Sequence, residues 1–262
     1  MNSALERRRL WVFDFDGTLS AIVPDRVGAR LHPMCRELLS ELAATVENIV
    51  AVLSSRSIED LAPRVPLPHV VLGGGSGLEL RLPGGRRVRP GPIAEARREA
   101  ARGTLAPLLA RLSRFPGVDV EDKGWSVAVH HRRVLPDAAA RLEPLLSELA
   151  RTPGIRVFRG PFAAEVQLLP HVSKSFGVRR ICRLLPFDPS GGRILYAGDD
   201  ENDAVAMRWV LRKKGIAFCV GNRLRIAGAK VVDGPVELVR AVRGLAAAAP
   251  RPAGGKGRKV VA

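Results

Sequence analysis

Short apolar runs recur along the chain, and several of them stop abruptly at glycine, serine or aspartate. The runs at 10–13, 49–53 and 194–197 end in this way, which is typical of buried parallel strands. Segments with helical spacing of apolar residues lie between or after these runs. These helices are predicted over 58–61, 178–185 and 204–211. Strands that alternate with helices predict an α/β fold built on a doubly wound parallel sheet.

The middle of the chain has a different pattern, in which short strands surround two longer helices. A hairpin is predicted over 78–88, with its turn at Pro83, Gly84 and Gly85. The strand predicted over 125–130 alternates large apolar residues with smaller or polar ones, so its two faces differ. The other predicted elements of this unit are helices at 93–113 and 137–150 and strands at 118–121, 156–158 and 163–169.

These patterns predict two domains and a tail. We expect an α/β core formed by residues 1–78 and 168–246, with an α+β domain inserted at 79–167. Residues 247–262 have no periodic apolar face and are predicted to be a disordered tail. A sheet of the inserted domain that faces the core would exclude water and contact the leaving group of a substrate.

Two aspartates follow the first apolar run. Asp14 and Asp16 are two positions apart, so on a strand their side chains share a face. In open α/β sheets, ligands bind just beyond the carboxyl ends of the strands. Two carboxylates buried there need a neutralising cation, and Mg²⁺ prefers oxygen ligands. Taken alone, the segment fits equally well a strand end followed by an Asp-Gly turn.

A second acidic cluster follows the run at 194–197. Asp199, Asp200 and Asp203 lie on a loop that enters a predicted helix, where acidic residues also cap the helix and suit its dipole. Capping does not explain two acidic clusters that reach the same edge of one sheet. Together the clusters predict a site for one magnesium ion and one phosphoryl group.

Two more residues are candidates for this edge. Ser54 ends the run at 49–53, where its hydroxyl would bond a phosphate oxygen or simply form a turn. Lys174 precedes the helix at 178–185, where a cation opposes the helix dipole. Binding a phosphate oxygen would explain its position, and a solvated surface lysine is the alternative.

These four segments, in this order, resemble the haloacid dehalogenase superfamily of aspartyl phosphatases. The resemblance implies that Asp14 is the nucleophile and Asp16 the general acid and base. It also implies that Ser54 and Lys174 hold the transferring phosphoryl group. The metal ligands that it implies, directly or through water, are Asp14, Asp16, Asp199, Asp200 and Asp203.

The insertion between Ser54 and Lys174 is similar to the larger, C2-type cap of this superfamily. Within the superfamily, the chain most resembles trehalose-6-phosphate phosphatases, at segments 14–22, 52–61, 77–79, 121–132 and 198–203. This resemblance implies hydrolysis of trehalose 6-phosphate through an aspartyl-phosphate. The residues that it and the predicted cap strands assign to the substrate are Arg56, Glu79, Lys123, His130, Arg132 and Glu165.

Several positions depart from the usual pattern of that family. Ser55 and Ser175 replace glycines, and Ser76 replaces a histidine. Asn202 before Asp203 is closer to the sucrose-phosphatase branch. No core catalytic group is lost, but some of these positions could contact the sugar. Sucrose 6-phosphate, mannosyl- or glucosyl-3-phosphoglycerate, and a phosphomutase reaction therefore stay as alternatives.

Composition adds a strong positive charge to this picture. The 262 residues include 42 lysines and arginines against 26 acidic residues, a formal net charge of +16. The basic residues are spread through predicted helices without a stacking-aromatic signature, so no nucleic-acid partner is expected. Biased composition is the favoured explanation, with attraction of a phosphorylated substrate as a possible benefit. A non-enzymatic nucleic-acid-binding module is the disfavoured alternative.

We expect neither a membrane span nor a secretion signal from this sequence. No apolar run is long enough to span a bilayer, and the charged residues 1–9 lead directly into the first strand. Cys35, Cys182 and Cys219 are few and scattered, as in proteins with reduced thiols. We therefore expect a cytoplasmic, monomeric enzyme.

Overall fold

The computed structural model describes residues 8–23 and 26–248, and two sheets organise them. The strands are β1 (Arg9–Asp14), β2 (Asn48–Leu53), β3 (Val71–Gly74), β4 (Glu79–Arg81), β5 (Arg87–Val88), β6 (Asp119–Asp122), β7 (Ser126–His130), β8 (Arg156–Arg159), β9 (Ala163–Gln167), β10 (Ile194–Gly198), β11 (Ile216–Val220) and β12 (Lys230–Val232). The helices are α1 (Pro33–Ala43), α2 (Ile58–Arg64), α3 (Pro92–Ser113), α4 (Pro136–Arg151), α5 (Lys174–Leu184), α6 (Glu201–Arg212) and α7 (Pro235–Ala247).

The larger sheet has the strand order β12-β11-β10-β1-β2-β3-β4-β5 and is parallel from β12 to β3. Helices α1, α2 and α7 pack on one face, and α5 and α6 pack on the other. Because both faces are covered, the central strands are apolar throughout and show no alternation. The predicted doubly wound α/β fold is therefore confirmed.

The predicted hairpin is present, but its strands join the core sheet. β4 pairs antiparallel with β3, and β5 pairs antiparallel with β4. Leu80 and Leu82 are buried in the same apolar cluster as Val178 and Ile181 of α5. The inserted domain was predicted to start at residue 79, but the strands at 79–81 and 87–88 belong to the core sheet. A hairpin pattern does not reveal which sheet edge the hairpin extends.

The smaller sheet is antiparallel, in the order β6-β7-β9-β8, and lies in sequence between β5 and α5. Val127, Val129 and Val166 are buried against leucines of α3 and α4. The opposite face carries Glu165, which pairs with Ala128 in the register of β7 and β9. The predicted alternation in β7 is present, so one face of this sheet is free to line a site.

A close backbone crossing joins α5 to the turn after β3. A Cβ atom at Gly77, whose φ is +91°, would lie 2.4 Å from Gly177 Cα. At Gly177 a Cβ atom would lie 2.5 Å from the carbonyl oxygen of Ser76. Glycine at both positions therefore lets the first turn of α5 reach the core sheet.

No helix in the described ranges is long and apolar enough to cross a bilayer. The three cysteines are buried and unpaired. The predicted disordered tail lies outside the described residues beyond residue 248.

We predict that Gly177→Ala destabilises the protein by ~1–3 kcal/mol, because its methyl group would overlap backbone atoms that belong to another element. Gly103→Ala is the matched control, since a Cβ atom at Gly103 in α3 would meet no atom within 4 Å. That variant should gain ~0.5–1 kcal/mol of stability from the better helix propensity of alanine. Urea denaturation of both variants measures the change. A Gly177→Ala protein as stable as the wild type would show that the crossing tolerates a side chain.

Candidate active site

The carboxyl ends of three neighbouring strands form the centre of the candidate site. In the strand register, Asp14 of β1 pairs with Leu53 of β2, and Phe13 of β1 pairs with Ala197 of β10. Ser54 and Asp199 follow these strands almost immediately, so both lie beside Asp14 at the same edge. The sequence prediction that the acidic segments meet at one sheet edge is therefore realised in the fold.

Lys174, the first residue of α5, reaches this edge from far along the chain. Its Nζ donates to Asp14 Oδ1 at 2.5 Å and to Asp203 Oδ1 at 2.6 Å. Lys174 is buried, and burial alone would lower the pKa of its ammonium group. The carboxylates of Asp14 and Asp203 outweigh burial and raise that pKa well above its usual value. A protonated lysine at a helix start is thus explained by its two acidic partners.

Asp203 accepts hydrogen bonds at both of its oxygens. Oδ1 also accepts from the hydroxyl of Tyr196 at 2.6 Å, and Oδ2 accepts from the backbone N–H groups of Asp199 and Asp200. Asp200 in turn caps α6, where its side chain accepts from the N–H groups of Asn202 and Asp203. This reciprocal cap fixes the loop that carries Asp199.

Three carboxylates of the described residues are close enough to share a metal ion. Oxygens of Asp14, Asp199 and Asp203 all lie within 4.8 Å of one another, and all three residues are buried. Burial raises the pKa of Asp14 to about 8, although Lys174 opposes the shift. Burial, with a further contribution from Asp200, raises the pKa of Asp199 to about 8.

The cluster fits a hard divalent cation. Its donors are all carboxylate oxygens, and when ionised the three carry more negative charge than Lys174 and Arg223, which lies 3.8 Å from Asp199, can neutralise. A Cβ atom at Gly17, whose φ is +84°, would lie 2.3 Å from Asp199 Oδ2, so the glycine keeps room for that carboxylate. Asp16 and Asp200, which were also predicted as ligands, direct their carboxylates to other partners.

Asp16 lies in the fork of an arginine. Arg56 donates from Nε and Nη2 to the two carboxylate oxygens of Asp16, each at 2.7 Å. Ser54 is buried next to this pair, and its hydroxyl accepts the backbone N–H of Arg56 at 3.1 Å. Arg56, predicted to bind substrate, therefore holds the candidate acid and base in this structure.

A cavity of about 390 Å³ separates the core edge from the free face of the smaller sheet. Among its core residues are Asp16, Ser55, Arg56 and Asp199. The smaller sheet and the segments that adjoin its strands contribute four of the residues predicted to bind substrate, namely Lys123, His130, Arg132 and Glu165. The fold thus brings Asp16 and most of the predicted substrate residues to one space, whereas Asp14, Ser54 and Lys174 are buried behind it and are not among the residues that line it.

Charged and polar pairs line the cavity on the side of the smaller sheet. Glu165 accepts from Lys123 Nζ at 2.7 Å and from the Ser126 hydroxyl at 2.6 Å. Lys123 Nζ also lies 3.4 Å from the Ser55 hydroxyl of the core. The ring of His130 is 2.9 Å from Glu121. These groups offer donors and acceptors side by side, as recognition of neighbouring hydroxyls requires.

Glu79 is not among the residues that line this cavity. Its carboxylate accepts a hydrogen bond from the Trp125 indole at 3.0 Å, which ties β4 of the core to the start of β7. Arg98 of α3 stacks over the same indole, 4.8 Å from its centroid. Glu79 was predicted to bind substrate, and in this structure its carboxylate links the two sheets.

Tyr196, Ser126 and Glu121 belong to the site but were not predicted from the sequence. Tyr196 is the only tyrosine of the chain but occupies an ordinary buried strand position. Glu121 could have been found from the register of β6 and β7, in which Asp119 pairs with His130. Glu121 is two positions after Asp119 in β6. Residues two apart on a strand share a face.

Comparison with known families gives a consistent result. A family model described as trehalose-phosphatase matches residues 12–231. The trehalose-phosphate phosphatase of Mycobacterium tuberculosis (strain H37Rv) is 36% identical over 194 residues, which are 73% of this chain and 48% of that protein. That of Mycobacterium marinum is 33% identical over 209 residues, 79% of this chain and 53% of that protein. The chain therefore spans about half the length of these curated relatives.

Solved structures show the same fold. The C-terminal domain of trehalose-6-phosphate phosphatase from Candida albicans has a TM-score of 0.74 at 20% identity, with 94% of this chain and 96% of that chain covered. A haloacid dehalogenase-like hydrolase from Bacteroides thetaiotaomicron has a TM-score of 0.63 at 15% identity, with 91% and 99% covered. At these identities the likeness concerns the fold alone.

We predict that a divalent cation stabilises the protein more at about pH 8 than at about pH 5. The raised pKa values of Asp14 and Asp199 mean that the metal-free folded state binds more protons than the unfolded state between about pH 4 and pH 8. The contribution of these two groups to the free energy of unfolding therefore falls as pH rises through that window. A bound cation replaces the protons and removes this loss.

Melting temperatures with and without magnesium chloride at the two pH values measure this effect. Asp199→Asn should reduce the metal-dependent gain, whereas Asp119→Asn, on an exposed position of β6, should retain it. An equal gain at both pH values would contradict the assignment of the cluster.

Proposed function

Since this chain belongs to the trehalose-phosphatase family, we propose that it is a phosphatase that hydrolyses trehalose 6-phosphate. The observation that carries the proposal is the contact of buried Lys174 with Asp14 beside a cavity walled by polar groups of the smaller sheet. On sequence grounds, the proposal includes a monomeric, cytoplasmic enzyme without a nucleic-acid partner. We also propose that residues 92–167, which hold α3, α4 and the smaller sheet, form the cap domain.

Asp14 is the nucleophile of this proposal. Lys174 holds Oδ1, which fixes the direction of the carboxylate, and burial leaves the group poorly solvated. A carboxylate oxygen of Asp14 forms a bond to phosphorus while the bond from phosphorus to the sugar oxygen breaks, which produces an aspartyl-phosphate. Lys174 and the Ser54 hydroxyl lie beside Asp14, where they can stabilise charge on the phosphoryl oxygens.

Asp16 is the general acid and base. It lines the cavity, on the side from which the sugar would leave. Its carboxyl group gives a proton to the departing sugar oxygen, and its carboxylate then takes a proton from water. That water attacks the phosphorus atom of the aspartyl-phosphate, so that phosphate leaves and Asp14 is restored.

Asp14 and Asp199 are the residues that we propose to hold Mg²⁺. When bound, the ion would offset the repulsion between an anionic nucleophile and an anionic phosphoryl group. Asp203 already accepts hydrogen bonds at both oxygens, so we infer that it orients Lys174 and supports the ion indirectly. Asp200 contributes by capping α6, and direct ligation by Asp16 or Asp200 stays a prediction.

The smaller sheet would select the sugar. The carboxylate of Glu165 is an acceptor that lies between two donors, Lys123 and Ser126. His130 and Arg132 lie on the same wall of the cavity. A sugar hydroxyl can replace one partner of such a pair without leaving a buried charge unpaired. Sites of this kind discriminate strongly against analogues that lack the matching hydroxyl.

We predict that the purified protein releases phosphate from trehalose 6-phosphate in the presence of Mg²⁺ and that Asp14→Asn abolishes turnover. The amide of asparagine cannot form the aspartyl-phosphate, while its size preserves the packing. Phosphate release is measured on a panel that also includes sucrose 6-phosphate, mannosyl- and glucosyl-3-phosphoglycerate, and hexose phosphates. Preference for another member would retain the chemistry and change the substrate. Normal turnover by Asp14→Asn would exclude this nucleophile.

We predict that Glu165→Ala lowers kcat/KM for trehalose 6-phosphate by roughly tenfold or more and has a much smaller effect on an aryl phosphate. The change removes an acceptor and leaves the Lys123 ammonium group without its carboxylate partner, on the wall that we propose contacts the sugar. Glu148→Ala is the control, because Glu148 pairs with Arg111 on the exposed side of α4. Equal losses on both substrates would argue against a sugar-binding role.

A further inference from the structure

A chain of ion pairs leads from Asp16 away from the cavity and into α2. Arg56 contacts both oxygens of Asp16 and, through Nη1, also donates to Asp60 Oδ2. The other oxygen of Asp60 accepts from Arg64 Nη2 at 2.8 Å and from Arg64 Nε at 3.2 Å. Asp60 therefore bridges two guanidinium groups, only one of which touches the candidate acid and base.

Arg56 is the fixed member of its pair with Asp16. The side chain of Arg56 is 6% exposed, whereas that of Asp16 is 42% exposed. The guanidinium carbon of Arg56 lies 5.6 Å from the centroid of the Phe15 ring, and its backbone N–H is bonded to Ser54. Because a guanidinium is planar and its donors form a rigid fork, its orientation sets the plane of the carboxylate that it holds.

Asp60 is itself anchored from several sides. Its backbone N–H donates to the Ser57 hydroxyl that caps α2. Its partner Arg64 donates from Nη1 to the carbonyl oxygens of Ala29 at 2.6 Å and Val27 at 3.1 Å. These bonds tie α2 to the segment that follows Asp16 in the chain. Asp60 is thus built into the scaffold, although it does not line the cavity.

We propose that Asp60 is a positioning residue for the proton-transfer step: it fixes the fork of Arg56, which places Asp16 at the departing oxygen of the substrate. This inference rests on the proposed function, because it requires a substrate whose leaving oxygen takes a proton from Asp16 as the bond from phosphorus to that oxygen breaks. Without the carboxylate of Asp60, Nη1 of Arg56 loses an acceptor. The orientation of the Arg56 guanidinium is then less restricted. Asp16 then spends less time where it can donate.

The dependence on the leaving group tests this role. A sugar alkoxide is a poor leaving group that needs a proton, whereas 4-nitrophenolate leaves without one. In single-turnover assays, Asp60→Asn should slow cleavage of trehalose 6-phosphate by ~10–100-fold, the range expected for a misplaced general acid. Cleavage of 4-nitrophenyl phosphate should change by less than ~3-fold, since nucleophile and Lys174 are untouched. A residue that only supports the fold would affect both substrates alike.

Two variants complete the design. Glu59→Gln removes the same charge from the neighbouring position of α2, where Glu59 pairs with Arg87 at the surface, and it should leave both rates unchanged. Asp60→Glu keeps the carboxylate and should restore part of the lost rate. If Asp60→Asn does not fold, Arg64→Lys takes its place. This variant removes the contact of the Arg64 guanidinium with Asp60, and the rates on the same two substrates are compared. Equal losses on both substrates, or none on trehalose 6-phosphate, would overturn the inference.

A spectroscopic measurement separates this inference from the proposed function. In nitrogen-15 spectra, the Nε–H signal of Arg56, assigned by its loss in Arg56→Lys, should be protected from exchange with water in the wild type and in Glu59→Gln. It should lose that protection in Asp60→Asn. If the wild type cleaves neither substrate, the proposed function fails. Unchanged protection in Asp60→Asn would show that Asp60 does not fix the guanidinium.

Discussion

One buried ammonium group, Lys174 Nζ, is shared by two carboxylates, and the rest of the site depends on it. Removing a charge from water is costly unless an opposite charge and hydrogen bonds replace the solvent. Lys174 meets this condition with Asp14 and Asp203, and Asp203 also accepts a hydrogen bond from the Tyr196 hydroxyl. Burial raises the pKa values of Asp14 and Asp199 to about 8, so these carboxylates ionise at a cost that a further cation would remove.

The same rule describes the wall of the cavity formed by the smaller sheet. Lys123 and Glu165 are mostly buried and satisfy each other, with Ser126 as a second donor. The link between Glu79 and Trp125 sets this wall against the core sheet. Polar groups that satisfy one another in this way can exchange partners with the sugar that we propose as the substrate, so the same pairs would serve both stability and selective binding.

Much of the fold could be predicted because the period of the apolar pattern reports directly on burial. The central strands are apolar throughout since both faces of the sheet are covered, and β7 alternates since only one face packs on helices. The hairpin of β4 and β5 was predicted as part of the inserted domain but extends the core sheet, because its local pattern is the same at any sheet edge. Helices α1 and α7 and strands β11 and β12 were not predicted.

The sequence by itself determined which residues end the parallel strands, and so which carboxylates meet at the sheet edge. That information is local, because it depends only on strand ends and on residues two apart sharing a face. Only the tertiary structure decided the partners of these charges. Lys174 meets Asp14 across 160 positions, Arg56 meets Asp16 across 40, and Glu79 meets Trp125 across 46. Pairings over such separations depend on how helices and sheets pack, which no local pattern encodes.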